Sequence, residues 1–354
     1  MKEEPVLPWP IFNFGLKTVK QAKAFKDKVT PPQLRLMEML NGFALTQIVR
    51  TAAELKIPDA LAEDPKDVIG LAQELDVNPQ ALSRFMVALT AIGLTKSLPD
   101  EKYALSPVGE LLKAEVPGSF YSMAISFGRE WYGGIWELSE SIKTGKSSFK
   151  TTYGEEFFSY LDHHPESQTF FNQSMVEATS LAISAILKEY DFSTAHHLVD
   201  IGGGMGHFLK RVLEQYPAMT GTVYDQPSVI EKAKLQSDSR ISFIAGNFFE
   251  SIPKGGDTYL LQRVLHDWDD ELVLTILKNC YDAMSSDGRL LVLEPGPVPD
   301  KVTMAVQDLL MLTLLGGQER NDDHISTLLQ DAGCKVNRII KTRSPIRIFE
   351  AVKA

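Results

Sequence analysis

A chain of 354 residues is longer than one ordinary hydrophobic core, so its length favours two domains of unequal size. Its 44% hydrophobic and 23% charged residues are typical of a globular protein, and no run of 18 or more apolar residues suggests a membrane span. The net charge of −10 argues against nucleic acid as the main partner. Residues 1–10 hold two acids and three prolines where a signal peptide needs a basic and then an apolar stretch, so we expect a cytoplasmic protein.

Residues 12–29 carry five lysines beside a few large apolar side chains, and this spacing predicts an amphipathic helix. A basic helix of this kind is compatible with a membrane surface, or with docking on a partner subunit that leaves the lysines in water. One short helix with few large apolar residues is a weak anchor, which favours docking. The sequence alone leaves the role of this segment open.

Apolar residues recur at helical spacing through most of residues 32–187, and within them residues 67–105 predict helix, turn, helix and a small β-wing. Asn78 and Pro79 are a typical N-cap and first-turn pair. Winged helices bind DNA in many regulators, but residues 67–110 hold three bases against six acids, a net of −3. A phosphate-binding helix needs the opposite sign, so we expect this unit to pack on a second subunit.

From His196 onward, short β-branched runs alternate with amphipathic stretches, which is typical of a parallel sheet with crossover helices. The last two runs, 335–344 and 346–354, leave no room for a helix between them and must form an antiparallel hairpin. Five parallel strands and this hairpin predict a seven-stranded, Rossmann-like α/β sheet. We therefore expect a helical, winged-helix-like domain over residues 1–185 and an α/β domain over residues 186–354.

The strongest chemical signal is DIGGGMG, residues 200–206, between the first strand of that sheet and the next helix. Glycines such as Gly202 and Gly204 let the backbone approach a ligand closely at a helix N-terminus. A nicotinamide fingerprint fits poorly, because its last glycine would fall on His207. Asp200 would repel a pyrophosphate but suits the ammonium and sulfonium charges of S-adenosylmethionine (SAM). The pattern therefore favours SAM as the cofactor.

Polar residues also follow the next two strands, at the edge where open α/β sheets bind ligands. Asp225 ends the second strand, where a carboxylate can accept hydrogen bonds from both ribose hydroxyls, and Gln226 lies beside it. Asn247 follows the third strand, and the adjacent Phe248 can cover the adenine. Asp225 and Asn247 would each suit an ordinary turn, but residues of this kind on successive strands favour a cofactor site.

The second half of the chain resembles the plant caffeate-type and bacterial polyketide-tailoring O-methyltransferases in an ordered set of motifs: LVDIGGGMGHFLKRVLEQYP, YDQPSVI, GNFFESIP, LLQRVLHDWDDE, LLVLEPGPVPD, DLLMLTLLGGQER and DDHISTLLQDAGC. A weaker resemblance extends upstream through FFNQSMVEAT and the winged helix, a dimerisation domain in that family. The resemblance implies a homodimeric enzyme that uses SAM to methylate a hydroxyl of a small-molecule acceptor.

In that family the histidine of the H-D-W motif removes the acceptor's proton, and the resemblance gives this role to His266. A histidine after the fourth strand lies at the ligand-binding edge and titrates near neutral pH, as a general base should. Alternatively it caps the helix that begins near Asp269. By resemblance, Glu294 and Glu319 flank the ring and stabilise the imidazolium; the alternative is surface salt bridging, Glu319 with Arg320.

Three acids near this histidine, Asp267, Asp269 and Asp270, suggest a magnesium site, because magnesium favours carboxylates. Consecutive acids at the start of a helix more often complement the helix dipole, and the resembled family needs no metal. We therefore expect no metal ion.

The remaining site residues follow from the resemblance. Met175 matches a position near the reacting sulfonium, and Thr179 one near the donor carboxylate. Two departures lie near the adenine: Asn247 stands where the family often has an acid, and Gln262 where plant members have lysine, although both can still hydrogen-bond. The family's substrate-facing stretches broadly match Trp131, Trp136, Phe158, Phe171, Met175 and Met311. Each alone is typical of an ordinary core, but together they indicate a flat, apolar acceptor.

Two rival functions remain. Some relatives use the charge of bound SAM without transferring its methyl group, in decarboxylation, hydroxylation or pericyclic steps. The presence of His266, Glu294 and Glu319 favours methylation instead. A ligand-sensing winged-helix regulator is the rival from another class, and the acidic balance of the winged helix argues against it.

Overall fold

The computed structural model of the protein describes residues 7–234, 238–296 and 301–354. The chain forms two compact units: the first unit comprises residues 21–133 and 164–178, and the second unit residues 134–163 and 179–354 together with 7–20. The two units thus interleave along the chain, and the single boundary expected at residue 185 stays a prediction. Within the described ranges, no helix is both long enough and apolar enough to cross a membrane.

The helices lie, in chain order, at α1 (Trp9–Val29), α2 (Pro32–Leu40), α3 (Gly42–Glu54), α4 (Ile57–Ala60), α5 (Val68–Leu75), α6 (Pro79–Ala91), α7 (Tyr121–Ser126), α8 (Tyr132–Gly134), α9 (Leu138–Thr144), α10 (Phe149–Tyr153), α11 (Phe157–His163), α12 (Pro165–Glu189), α13 (His207–Gln215), α14 (Pro227–Ala233), α15 (Asp270–Ala283), α16 (Lys301–Leu315) and α17 (Asp322–Asp331). The strands lie at β1 (Thr95–Ser97), β2 (Tyr103–Leu105), β3 (His197–Ile201), β4 (Thr220–Asp225), β5 (Ile241–Ala245), β6 (Thr258–Gln262), β7 (Arg289–Pro295), β8 (Cys334–Lys341) and β9 (Ile346–Lys353).

The predicted winged helix is present in the first unit. Helices α5 and α6 are followed by the antiparallel pair β1 and β2. The side chain of Asn78 accepts a hydrogen bond of 2.9 Å from the backbone N–H of Ala81, so it caps α6 as predicted. Apolar side chains from both helices, such as Leu71 and Met86, are fully buried in the core of this unit.

The second unit is built on the predicted seven-stranded sheet, with strand order β5-β4-β3-β6-β7-β9-β8. Strands β3 to β7 run parallel, and β9 pairs antiparallel with both β7 and β8. Central strands are apolar on both faces, as in β7, where Leu290 and Val292 join one core while Leu291 and Leu293 join the other. Helices that cover both faces of a parallel sheet require this pattern.

The strand order decides where the polar residues meet. Adjacent parallel strands end at the same edge of a sheet, and β4, β3, β6 and β7 are neighbours. The last or nearly last residues of these strands are Asp225, Asp200, Gln262 and Glu294. These side chains, predicted from scattered stretches of sequence, therefore belong to one edge, where open α/β sheets bind ligands.

Candidate active site

The loop between β3 and α13 holds glycines in left-handed backbone conformations, with φ of +68° at Gly202 and +57° at Gly204. Residues with side chains rarely adopt this geometry. The N–H of Gly204 donates a 2.8 Å hydrogen bond to Oδ2 of Asp225, and the N–H of Gln226 donates a 2.7 Å bond to its Oδ1. No neighbouring atom lies within 4 Å of the place where a Cβ of Gly204 would stand. The loop is thus tied to the end of β4 and leaves its own backbone open to a ligand.

Asp200 is the most buried acid of this edge, with 1% of its surface exposed. Its Oδ2 has no hydrogen-bond partner among the described residues. Burial, together with the charge of Asp225, raises the pKa of Asp200 to about 8. Burial also raises the pKa of Asp225, although the N–H groups of Gln226 and Gly204 oppose that shift. A buried acid with an unpartnered oxygen suits a cationic ligand, so Asp200 fits the ammonium group of SAM.

The two polar residues predicted near the adenine, Gln262 and Asn247, differ in the hydrogen bonds that they already make within the protein. Nε2 of Gln262, at the end of β6, is buried and has no partner in the described chain, so it can donate to a ligand. Asn247 instead closes a turn: its Oδ1 accepts from the N–H of Phe249 at 3.0 Å and its Nδ2 donates to Glu250 at 3.1 Å. One amide hydrogen of Asn247 remains for a cofactor.

His266 lies in a 3₁₀ turn, Leu265–Asp267, between β6 and α15, and 5% of its surface is exposed. Its Nδ1 lies 3.0 Å from Oε1 of Glu319 and 3.9 Å from Oε2 of Glu294. Asp269, and not His266, caps α15, because its side chain accepts the N–H of Leu272 at 2.9 Å. The alternative of a capping histidine is therefore wrong.

The pKa of His266 differs from the value near neutral pH that we expected from the sequence. Burial alone lowers the pKa of His266, but the carboxylates of Glu294, Asp267 and Glu319 outweigh it and raise the pKa to about 9. Asp267 had been considered only as a metal ligand, yet its Oδ1 lies 3.4 Å from Nε2 of the ring. The buried imidazole is therefore stabilised as a cation by three acids.

Glu294 links the ring to the sheet. Its Oε1 accepts backbone N–H groups of Val264 at 3.1 Å and Leu265 at 2.8 Å, so it holds the turn that carries His266. Burial raises the pKa of Glu294 to about 7, while the nearby His266 lowers it and Glu319 raises it further. This residue is fully enclosed, so the alternative of a surface salt bridge is wrong for it.

Four aromatic side chains form a wall next to the histidine turn in the second unit: Trp268, Phe158, Phe248 and Phe249. The ring of Trp268 stacks on Phe158 with centroids 5.8 Å apart and meets Phe248 and Phe249 edge to face at 6.0 and 4.8 Å. This wall includes both Phe248, which was predicted to cover the adenine, and Phe158, which was predicted to contact the acceptor. Trp268 was not predicted as a site residue, although the H-D-W motif contained it.

The other residues predicted to contact the acceptor differ in burial and in the unit to which they belong. Met311 is buried in α16 of the second unit, whereas 71% of Trp136 in the same unit is exposed. Trp131 belongs to the first unit, in a π-helical turn (Phe127–Trp131), a feature frequent at functional sites. Phe171 and Met175 lie half-buried in the part of α12 that belongs to the first unit, and Thr179 lies in the part that belongs to the second. The roles of these residues stay predictions.

The acids near the histidine form no metal centre that the structure shows. No group of three or more His, Cys, Asp or Glu side chains in the described parts of the chain is arranged to hold a metal ion. Asp269 caps α15, and Asp270 is bound by Arg320 at 2.8 Å and by His324 at 2.9 Å. Arg320 had been expected as a surface partner of Glu319, so that alternative is wrong as well.

Comparison with known proteins gives two family matches. A family model described as an O-methyltransferase domain matches residues 135–335, and one described as an O-methyltransferase dimerisation domain matches residues 37–115. The first match covers the glycine loop, the histidine turn and both flanking glutamates. The second covers α3 to α6 and the wing.

Individual relatives agree with these matches. The phenazine O-methyltransferase PhzM of Lysobacter antibioticus is 33% identical over 325 residues, which cover 89% of this chain and 95% of that protein. The mitomycin biosynthesis 6-O-methyltransferase of Streptomyces lavendulae is 33% identical over 90% of this chain and 93% of its own length. The crystal structure of human N-acetylserotonin methyltransferase in complex with SAM superposes with a TM-score of 0.86 at 28% identity, over 92% of this chain and 99% of that one.

The raised pKa of Asp200 predicts that SAM binding releases a proton. Below about pH 8 the free carboxyl is mostly protonated, and a cation beside it lowers its pKa, so at pH 7 the proton leaves when SAM binds. Calorimetric titration at pH 7 in two buffers of different ionisation enthalpy measures this release. Asp200→Asn should reduce this release by the share that comes from Asp200, while Asp191→Asn, at an exposed acid whose pKa is already lowered, should leave the release unchanged. Equal apparent enthalpies in both buffers for the wild type would contradict the prediction.

Proposed function

The chain belongs to the O-methyltransferase family and uses SAM, and from this premise we propose that it methylates a phenolic or enolic hydroxyl of a small, largely apolar secondary metabolite, with His266 as general base. The single observation that carries the proposal is the 3.0 Å contact between the buried ring of His266 and Glu319, at the same sheet edge as the glycine loop. The named relatives, which methylate a phenazine and a mitomycin precursor, support this class of acceptor.

Donor binding is assigned to the edge formed by the ends of β3 to β6. When bound, SAM supplies an electrophilic methyl group on a positively charged sulfur. Asp200 and Asp225 attract its cationic and ribose groups, and the open backbone at Gly204 lets it approach. The other second-unit residues assigned to the donor in this proposal are Gln226, Asn247, Phe248, Gln262 and Thr179.

The proton of the acceptor moves to His266 Nε2 in this proposal. Nδ1–H donates to Glu319, which leaves the lone pair on Nε2 for the acceptor hydroxyl. Glu319 and Glu294 then stabilise the imidazolium that forms. In the free protein these acids raise the pKa of His266 to about 9.

A raised pKa also means that the ring of His266 is protonated in the resting protein at neutral pH, and a protonated ring is no base. A cation bound at the same edge lowers the pKa of a nearby histidine. We therefore propose that donor binding favours the neutral, reactive ring. In this scheme the proton on His266 balances the negative charge of the neighbouring acids before the donor binds. After binding, the positive charge of the donor balances it instead.

The acceptor is expected beside the aromatic wall. Phe158, Met311 and the exposed Trp136, all of the second unit, are assigned to the proposed pocket. Flat aromatic and thioether side chains favour a planar, apolar ligand. Because methyl transfer is an in-line displacement, alignment by this pocket carries the specificity.

Removing the base should separate methylation from a reaction that uses only the donor's charge. His266→Ala should lower the rate by about 10² to 10⁴, the usual value of a positioned general base. Glu319→Gln should lower it less, because that side chain orients the ring without taking the proton. Initial-rate assays and donor titrations measure both effects, and donor affinity should stay close to the wild-type value.

The exposed His163 provides a matched control, since His163→Ala removes an imidazole that pairs with Glu155 at the surface. This variant should keep the wild-type rate. A His266→Ala enzyme with a normal rate on the true acceptor would refute the base assignment and favour a non-methylating reaction.

We further propose that the chain forms a homodimer through its first unit and acts in the cytoplasm. The dimerisation-domain match supports the dimer, as do large apolar side chains left exposed on α2 and α3, such as Met39 at 68% and Phe43 at 61%. The same unit has an apolar cavity of about 500 Å³, lined in part by Leu45, Val49 and Phe127. Two buried, unpaired cysteines suit a reducing compartment.

Placing a charge on this apolar surface should weaken the dimer. Phe43→Glu should raise the dimer dissociation constant by about tenfold or more, because the burial of an unpaired carboxylate opposes association. Light scattering across a dilution series would show mass falling from twice 39.4 kDa toward the single-chain value. Leu272→Glu, at an exposed apolar position on α15, is the control and should stay dimeric. A wild-type protein that scatters as a single chain would contradict the proposal.

A further inference from the structure

The turn that carries His266 is held from two directions. On one side, Glu294 accepts the N–H groups of Val264 and Leu265. On the other side lies the segment Gly316–Arg320, whose Gln318 N–H donates a 3.0 Å bond to the carbonyl of His266. A Cβ on Gly317 would stand 2.1 Å from that same carbonyl oxygen, so only glycine permits this approach. The histidine turn and the Glu319 segment are therefore in backbone contact.

Arg320 links the histidine turn to the segment that carries Glu319. Its Nη1 donates to the carbonyl of Leu265 at 2.8 Å, and its Nη2 donates to the carbonyl of Trp268 at 2.7 Å. Those carbonyls lie on either side of His266 and Asp267 in the chain. The guanidinium thus spans the turn from its first residue to the residue that follows it, which a single ammonium group cannot do.

An acid anchors the guanidinium in this position. Oδ1 of Asp270 accepts from Nε of Arg320 at 2.9 Å and lies 2.8 Å from its Nη2. Asp270 also accepts from Nε2 of Gln318 at 3.0 Å and from His324 at 2.9 Å. The side chain of Arg320 is 2% exposed and that of Asp270 is 43% exposed, so the guanidinium itself is enclosed while its charge-assisted bonds to the acid lie at the edge of the solvent.

The neighbouring residue, Glu319, depends on the same segment. Its N–H donates to Asp308 at 2.8 Å, and its carboxylate reaches Nδ1 of His266 at 3.0 Å. A shift of either the turn or the segment would lengthen this contact. Since Glu319 directly precedes Arg320, fixing the guanidinium on the turn also fixes the distance between the base and its partner.

We propose that Arg320 is a positioning residue for methyl transfer, which holds the His266 turn against Glu319 through its two carbonyl contacts and its bond to Asp270. The proposal rests on the function proposed for His266. Arg320 acts only through the histidine and its glutamate: none of its nitrogen atoms takes part in the proposed proton transfer.

The test is Arg320→Lys in the full-length protein, because lysine keeps the positive charge and removes the fork. We expect kcat to fall by about 10²-fold, the usual effect of a small misplacement of reacting groups. The KM for the acceptor and the affinity for SAM should change by less than about threefold, because the assigned binding residues are untouched. A His266 ring released from its acids should also show a pKa lower by about one unit.

NMR titration of histidine-labelled protein measures that pKa, with the His266 signal assigned by its absence in His266→Gln. Arg338→Lys is the matched control, because Arg338 also forks onto one acid, Glu350, at 3.2 and 2.8 Å in the hairpin β8–β9. This control should retain wild-type kcat and the wild-type His266 pKa. If Arg320→Lys does not fold, Asp270→Asn replaces it and should shift kcat and the pKa in the same direction by a smaller amount.

A folded Arg320→Lys protein with kcat within about twofold of wild type and an unmoved His266 pKa would overturn the proposal. So would a fall in kcat that is matched by the loss of SAM affinity while the pKa stays unchanged, since that pattern reports general damage. The NMR readout does not depend on the reaction: if His266→Ala proves fully active, the base assignment fails, and the pKa shift still decides whether Arg320 positions the ring.

Discussion

The buried ring of His266 is held by a 3.0 Å contact between its Nδ1 and Oε1 of Glu319, and most features of the second unit's site serve that contact. The ring sits in a turn between β6 and α15, Glu294 reaches the turn from β7, and Glu319 approaches from the segment after α16. Three separate parts of the chain thus converge on one imidazole. Misplacing any of them would change the distance between the base and its counter-charge.

Charge balance couples the two halves of the site. Glu294 and Asp267 are buried acids with pKa values raised to about 7 and about 6, and His266 is raised to about 9 beside them, so the three groups titrate together. Asp200 and Asp225 form a second acidic pair at the donor edge. In the proposed scheme, a positively charged donor neutralises the pair at the donor edge and favours loss of the proton from His266.

Much of this arrangement could be predicted from the sequence, because strand periodicity and the glycine loop depend on local residue types. The alternation of runs predicted five parallel strands and a terminal antiparallel hairpin but not their order in the sheet, and the ordered motifs located His266, Glu294 and Glu319. Local patterns could not predict the pKa of His266, which depends on three acids brought together by folding. They also missed Arg320, which entered the sequence analysis only as an alternative surface partner of Glu319, whereas the fold shows a buried fork on backbone carbonyls.

The most direct measurement is a single-turnover reaction with SAM that carries a trideuterated methyl group and a phenolic acceptor, sampled by mass spectrometry between about pH 6 and 10. The account predicts a product heavier by one labelled methyl, formed at a rate that rises with pH on a limb above the ordinary histidine pKa of about 6.5. The same acceptor without its hydroxyl should stay unlabelled. A product without the label, or a labelling rate independent of pH, would contradict the assignment of His266 as the base.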